Sequence, residues 1–284
     1  MSKKEKYGVV DVGGGLRGIY GAGIFDYCLY NGIQFDYCIG VSAGSANLAS
    51  YLAGQRDRNY RFYTEYALRR DYMSTKNMLQ TGSYINLEYI FGTLSNHDGE
   101  YPLDFGAIMR SPAEFEIVAS DCMTGAAHYF DGKKMHQDDY QPIMASSCVP
   151  VVNRPYRIDG AGYYDGGITD PIPVQHALMA GCDKVVVILT RPRNFYRKSD
   201  NDKRLARVIR KQYPNAAYKL AHRGELYNSQ LDLCKKLERE GRVMIIAPET
   251  IGGMKTLKKD MDAVGMMYRE ALHDAEKIGP FLGL

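Results

Sequence analysis

Hydrophobic and polar positions repeat with two different periods along this chain, and the first 53 residues contain both. Tyr7–Val12 is a short apolar run that reads as a strand and ends in Gly13-Gly14-Gly15. Over Gly18–Tyr30 the apolar residues Ile19, Ala22, Phe25 and Leu29 recur at helical spacing, and Asn31-Gly32 supplies a stop. Phe35–Val41 is a second strand, followed at once by Ser42 and a small-residue helix over Ala43–Ala53. Strand, helix, strand, helix is the order of a parallel sheet with helices packed on it.

The pattern then loosens. Residues 55–110 are rich in Tyr and Arg, with helical patches at Asn59–Arg69 and Ile85–Leu94, and read as a cap-like insertion. Glu114–Ser120 returns to strand, with Ala126–Phe130 its hairpin partner. Ile143–Cys148 reads as a helix stopped before Pro150. Tyr156–Asp159 and Gly162–Tyr164 are short strands around a glycine turn that leads into Asp165-Gly166-Gly167. Val174–Ala180 is a helix and Lys184–Thr190 a buried strand. A long helix is expected around Ala216–Glu240, a strand at Val243–Ala247 and a last helix around Leu257–Ile278. No linker interrupts this order, so the expectation is a single α/β domain with a C-terminal extension.

Composition narrows the class. A chain of 284 residues, 45% hydrophobic and 24% charged, can bury a sizeable core. A net charge of +3 is too mild to imply nucleic acid, and no nucleic-acid partner is expected. None of the six cysteines forms a C-x-x-C pair, and their spacing fits no zinc pattern. They read as reduced, buried thiols, and neither metal nor cofactor is expected. The amino-terminal lysines precede too short an apolar run for a signal peptide, and no stretch approaches the roughly 18 apolar residues of a membrane helix. The expected location is the cytoplasm, with any membrane contact peripheral.

Three strings carry candidate chemistry. Gly13-Gly14-Gly15-Leu16-Arg17-Gly18 lies between a strand and a helix and satisfies the dinucleotide fingerprint G-x-G-x-x-G. A ribose-binding acid should then close the second strand, but Gly-Val-Ser stands there and Asp36 lies at the wrong end. The same string suits an oxyanion hole, because main-chain N–H groups without Cβ atoms can converge on an anion. A plain tight turn is the third reading. Gly40-Val41-Ser42-Ala43-Gly44 is G-x-S-x-G directly between a strand and a helix, the context of a nucleophile elbow. Ser45 would sit inside the helix, away from that turn. The serine needs a proton acceptor. None of the six histidines has a strand-end, glycine-flanked setting, whereas Asp165 sits on a turn before Gly166 and Gly167. A solvated β-turn aspartate is the alternative for that position.

Taken together and in this order, the three strings resemble the patatin-like phospholipase family, over roughly residues 7–190, with a weaker likeness to bacterial members beyond. Ile168-Thr169-Asp170-Pro171-Ile172-Pro173 is also similar to the family's continuation. The resemblance implies a three-layer α/β fold with a mostly parallel central sheet, helices on both faces and a helical C-terminal extension. It implies a catalytic domain over 1–190 with 191–284 packed on the same core. It implies Ser42 as nucleophile and Asp165 as its partner without histidine. The oxyanion hole would lie at Gly13, Gly14 and Gly15 beside Arg17, the elbow glycines would be Gly40 and Gly44, and the dyad loop Gly166 and Gly167. The activity so implied is acyl-ester hydrolysis of lipids, of phospholipase A or lysophospholipase type. The alternatives are a carboxylesterase with a Ser-His-Asp triad and a non-catalytic lipid- or nucleotide-binding module. Finally, Arg191 to Arg223 holds 11 Lys or Arg against two Asp, with Leu205, Val208, Ile209 and Tyr213 on one helical face. That face either docks on the sheet, the reading preferred here, or lies on an anionic membrane.

Overall fold

The computed structural model describes residues 4–254, 256–257 and 260–284. Its strands are β1 (Tyr7–Asp11), β2 (Tyr37–Val41), β3 (Glu114–Asp121), β4 (Ala127–Asp131), β5 (Tyr156–Ile158), β6 (Ala161–Asp165), β7 (Lys184–Ile188) and β8 (Val243–Ile246). The helices are α1 (Ile19–Tyr30), α2 (Ala43–Leu52), α3 (Arg58–Thr64), α4 (Thr75–Thr81), α5 (Phe105–Arg110), α6 (Gln141–Ser146), α7 (Val174–Met179), α8 (Asp200–Ile209), α9 (Pro214–Arg239), α10 (Met261–Asp274) and α11 (Ile278–Leu282). The strands form one sheet in the order β5-β6-β3-β2-β1-β7-β8, with β4 on the remaining edge of β3. β1, β2, β3, β7 and β8 run parallel, and β4 and β6 run against β3.

Alternation within the strands decides the layers. Val9, Cys38, Ile117, Val186 and Ile188 point to one face, where α1, α2 and α10 cover them. Val10, Ile39, Val41, Val185 and Val187 point to the other, under α7 and α9. Both faces are thus buried, which is why these strands read as continuous apolar runs rather than alternating ones. The chain winds outward from β1 to β2 and β3, then returns to β7 on the other side, so the sheet switches direction at β1. In open α/β sheets a ligand crevice forms at that point, beyond the carboxyl ends of the strands.

Two differences from the sequence reading concern the 55–110 segment. α4 and α5 are present where no helix is predicted, each opened by a side-chain cap: Ser74 accepts from the N–H of Asn77, and Asp104 from that of Ala107. Glu88–Leu94 forms a π-helical turn rather than a regular helix. The last predicted helix is divided into α10, a 3-10 turn at Ala275–Lys277 and α11, and it begins at Met261 rather than at Leu257, which is not helical; Lys258 and Lys259 lie outside the described residues. All six cysteines are unbridged and buried. On the basic stretch, Ile209 and Tyr213 are buried and Val208 is exposed, so the apolar side of α8 is largely docked.

Candidate active site

Ser42 follows β2 with φ 56° and ψ −130°, a left-handed conformation that a residue with a Cβ adopts only under strain. The surrounding packing holds it there. The N–H of Ser42 donates to Ser146 Oγ at the end of α6 (2.8 Å), and Ser45 Oγ donates to the Ser42 carbonyl (2.6 Å). Glycine is required at both flanks. A Cβ on Gly40 would lie 2.6 Å from the Ser45 nitrogen, and one on Gly44 would collide with the Asp11 carbonyl oxygen. Ser45 is fully buried and turned away from the cavity.

Asp165 reaches Ser42 through strand register. β2 pairs with β3 up to Val41 opposite Val118. β6 approaches from the opposite direction and pairs Asp165 with Ala119. Since β4 occupies the far edge of β3 along Glu116–Ser120, β2 and β6 share the near edge and meet end to end. The next position after Val41 is Ser42, so both residues arrive at the level of Ala119. The Ser42 side chain lies near enough to the Asp165 carboxylate to favour its charged form, and that carboxylate accepts from the N–H of Gly167 (2.8 Å). Burial raises the Asp165 pKa above the ordinary carboxylate value. The nearby Ser42 hydroxyl, the Gly167 N–H and the positive field of Arg223 and Arg197 oppose that rise without cancelling it. A Cβ on Gly166 would strike the Val118 carbonyl, so the Asp165–Gly167 turn lies directly on β3.

The glycine loop packs on the elbow. Gly13, Gly14 and Gly15 have φ of 61°, 124° and 61°, a run open only to glycine without strain. A Cβ on Gly13 would sit 2.7 Å from the Gly44 nitrogen and 2.9 Å from that of Ala43. The Gly13 N–H is already given to Asp11 Oδ1 (2.9 Å), and the Gly13 carbonyl accepts from Thr190 Oγ1. Among the described residues, the N–H groups of Gly14, Gly15 and Ala43 find no protein acceptor, and all three residues line the cavity beside Ser42. Buried main-chain donors are rarely left unpaired. Asp11 is fully buried, accepts from Asn47 Nδ2 as well (3.0 Å), and is pushed up to about 6 by burial. Asp11, Asn47, Ser146, Thr190 and Ala43 carry no motif signal of their own apart from their place in or near the three strings. Only contact in space marks them.

These residues open into a cavity of about 320 Å³, within the range of small-molecule pockets. One wall is apolar and comes from the 55–110 segment: Phe62, Tyr72, Ile85, Leu87, Ile90 and Phe91. Another is basic, with Arg17, Arg191, Arg197 and Arg223. Among the described residues, no histidine lines it. His176 lies elsewhere, stacked on Tyr129 and bonded to Glu116 (2.6 Å).

A serine elbow beside a glycine loop, at the switch point of a mostly parallel sheet, defines a class of α/β proteins. Within that class, a family model for patatin-like phospholipases matches residues 12–178, and the chain belongs to the patatin-like phospholipase family. Lipid acyl hydrolysis is the activity this membership suggests. A second model, a domain of unknown function (DUF6363), matches residues 213–280. The Escherichia coli (strain K12) protein YjjU is 30% identical over 202 residues, covering 69% of this chain and 55% of YjjU. The NTE family protein Rv1063c of Mycobacterium tuberculosis (strain ATCC 25618 / H37Rv) is 23% identical over 175 residues, 62% of this chain and 46% of its own. The chain spans about half the length of these curated relatives. VipD from Legionella pneumophila superimposes with a TM-score of 0.50 over 99% of this chain and 67% of its own, at 15% identity, a likeness of fold alone.

Proposed function

We propose that the chain hydrolyses acyl esters of lipids, of phospholipase A or lysophospholipase type, with Ser42 as nucleophile and Asp165 as its proton acceptor. The observation that carries this is the end-to-end meeting of β2 and β6 on β3, which joins a strained serine to a buried carboxylate. In the first step Ser42 Oγ bonds to the ester carbonyl carbon and its proton passes to Asp165. The N–H groups of Gly14, Gly15 and Ala43 receive the oxyanion, at about 3–4 kcal/mol for each donor. The carbon–oxygen ester bond then breaks and Asp165 returns the proton to the leaving alkoxide. In the second step water adds to the acyl-serine, Asp165 takes its proton, and the fatty acid leaves as Ser42 regains its hydrogen.

An ordinary carboxylate, with a pKa near 4, is a weak base for this task. Desolvation of Asp165 moves it in the useful direction. The absence of histidine from the cavity wall speaks against the carboxylesterase triad. The apolar wall suits an acyl chain, and the docked side of α8 leaves Val208 and the surrounding basic residues as the surface for any peripheral membrane contact.

Hydrolysis of p-nitrophenyl esters and phospholipids by wild type, Ser42→Ala and Asp165→Asn tests the proposal. Each substitution should lower kcat/KM on the order of 10^3-fold or more. The wild-type rate should fall as pH drops through the Asp165 pKa, at a pH above the ordinary carboxylate range. Undiminished turnover in either variant, or its loss on replacing one histidine, would overturn the assignment.

A further inference from the structure

The cavity carries more positive charge than ester hydrolysis alone needs. Its charged lining among the described residues is Arg17, Arg58, Arg191, Arg197 and Arg223 against the single acid Asp165. Arg58 is occupied by Ser50, Ser95 and the Tyr101 carbonyl. The other four gather near Tyr227, Arg17 from the glycine loop, Arg191 and Arg197 from the segment after β7, and Arg223 with Tyr227 from α9.

Their protein partners are unequal. Asp202, almost wholly buried, holds Arg197 (2.8 Å) and Arg223 (2.5 Å). Arg191 makes no ion pair among the described residues; it packs over the Phe195 ring at 4.2 Å. Arg17 is 5% exposed, yet among the described residues its guanidinium hydrogen-bonds only Thr256 Oγ1 (3.1 Å) and its Nε has no partner. The same guanidinium lies over Gly14, where a Cβ would be 3.0 Å from Nη2. A buried guanidinium with open donors is costly unless an anion fills them. Burial and the neighbouring Arg191 and Arg197 lower the Arg17 pKa to about 9, which leaves it charged at neutral pH. The Tyr227 hydroxyl, which faces these cations, has no protein hydrogen bond among the described residues.

We propose that this wall is a head-group subsite: Arg17, Arg191 and the Tyr227 hydroxyl bind a phosphate on the alcohol side of the scissile ester, within the field of Arg197 and Arg223. The inference rests on the hydrolase reading above and adds its substrate class. That class is glycerophospholipids whose phosphate carries no compensating amine, as in phosphatidylglycerol or phosphatidic acid. The acyl chain lies along the apolar wall, in the same cavity that Ser42 lines.

The test compares dioctanoyl phosphatidylglycerol with dioctanoyl phosphatidylcholine, both below their micelle thresholds, so that surface charge plays no part. Wild type should favour the anionic lipid in kcat/KM by about tenfold, the worth of one charge-assisted contact. Arg191→Gln should bring that ratio toward one, and Arg191→Lys should keep most of it. A structural role alone would lower both rates together. A wild-type ratio near one, or a ratio that Arg191→Gln leaves unmoved, would overturn the inference while leaving the hydrolase reading intact. Calorimetry on the Ser42→Ala protein separates the converse case. Glycerol 3-phosphate should bind there, and bind about tenfold more weakly after Arg191→Gln, even if no lipid is hydrolysed. Inorganic phosphate binding as tightly as glycerol 3-phosphate, with no lipid preference, would assign the wall to free phosphate and sink the head-group assignment.

Discussion

Asp11 shows how a single side chain organises this site from beneath. Its two carboxylate oxygens hold the Gly13 N–H and Asn47, fixing the loop against α2. The arrangement demands a charge in a fully buried position, and the pKa of about 6 registers the cost. The sign of its contribution follows. Between about 4 and 6 the folded chain holds the Asp11 proton while the unfolded chain has lost it, so this group's contribution to stability falls as pH rises through that window. Two pKa units correspond to about 3 kcal/mol at most. Asp11→Asn cannot ionise. Its Tm relative to wild type should therefore rise by several degrees from pH 4 to pH 6.5 and then level off. A Tm difference that is constant with pH would remove Asp11 as the titrating group. Asp26, also pushed up to about 6 by burial, titrates in both proteins and cancels in the comparison.

Among the elements, α6 and β6 do the most with the fewest residues. The sequence reading found α6 as a small-residue helix before Pro150, but nothing in Ser146 distinguishes it from other serines. In the fold its hydroxyl accepts the main-chain N–H of Ser42, holding the strained elbow. Ser146→Ala should leave that N–H buried and unpaired, costing about 1–3 kcal/mol of stability. With the elbow loosened, kcat should fall while KM changes little. Steady-state kinetics and thermal melts of the variant check both. A variant with unaltered kcat would show that the elbow holds without this bond. β6 was legible as a short strand by its glycine turn, and Asp165 by its Asp-Gly-Gly string. That β6 runs against β3, on the edge β2 has just vacated, is a matter of register and invisible in one sequence.

At the scale of the whole molecule, the C-terminal third completes the core. β8 extends the sheet beside β7, α9 covers one face, and α10 packs on α1 over the other. α9 also delivers Arg223 and Tyr227 to the cavity. A fragment ending at residue 190 should accordingly expose both apolar faces and fail to melt cooperatively, as circular dichroism and sedimentation would report. A soluble fragment with a sharp transition would instead make 191–284 a separable unit.

Much of this protein is set locally and can be read from the chain: the strand-helix order, the glycine loop, the serine elbow and the Asp-Gly-Gly turn. Each depends on sterics or periodicity within a few residues, and those act wherever the chain goes. The short helices α4 and α5 escaped because side-chain caps, not apolar periodicity, define them. The pairing of Ser42 with Asp165 and the gathering of four arginines around Tyr227 join segments far apart in the chain. Only the sheet register and the packing of α9 bring them together, because desolvation and charge act through space and carry no trace along the sequence.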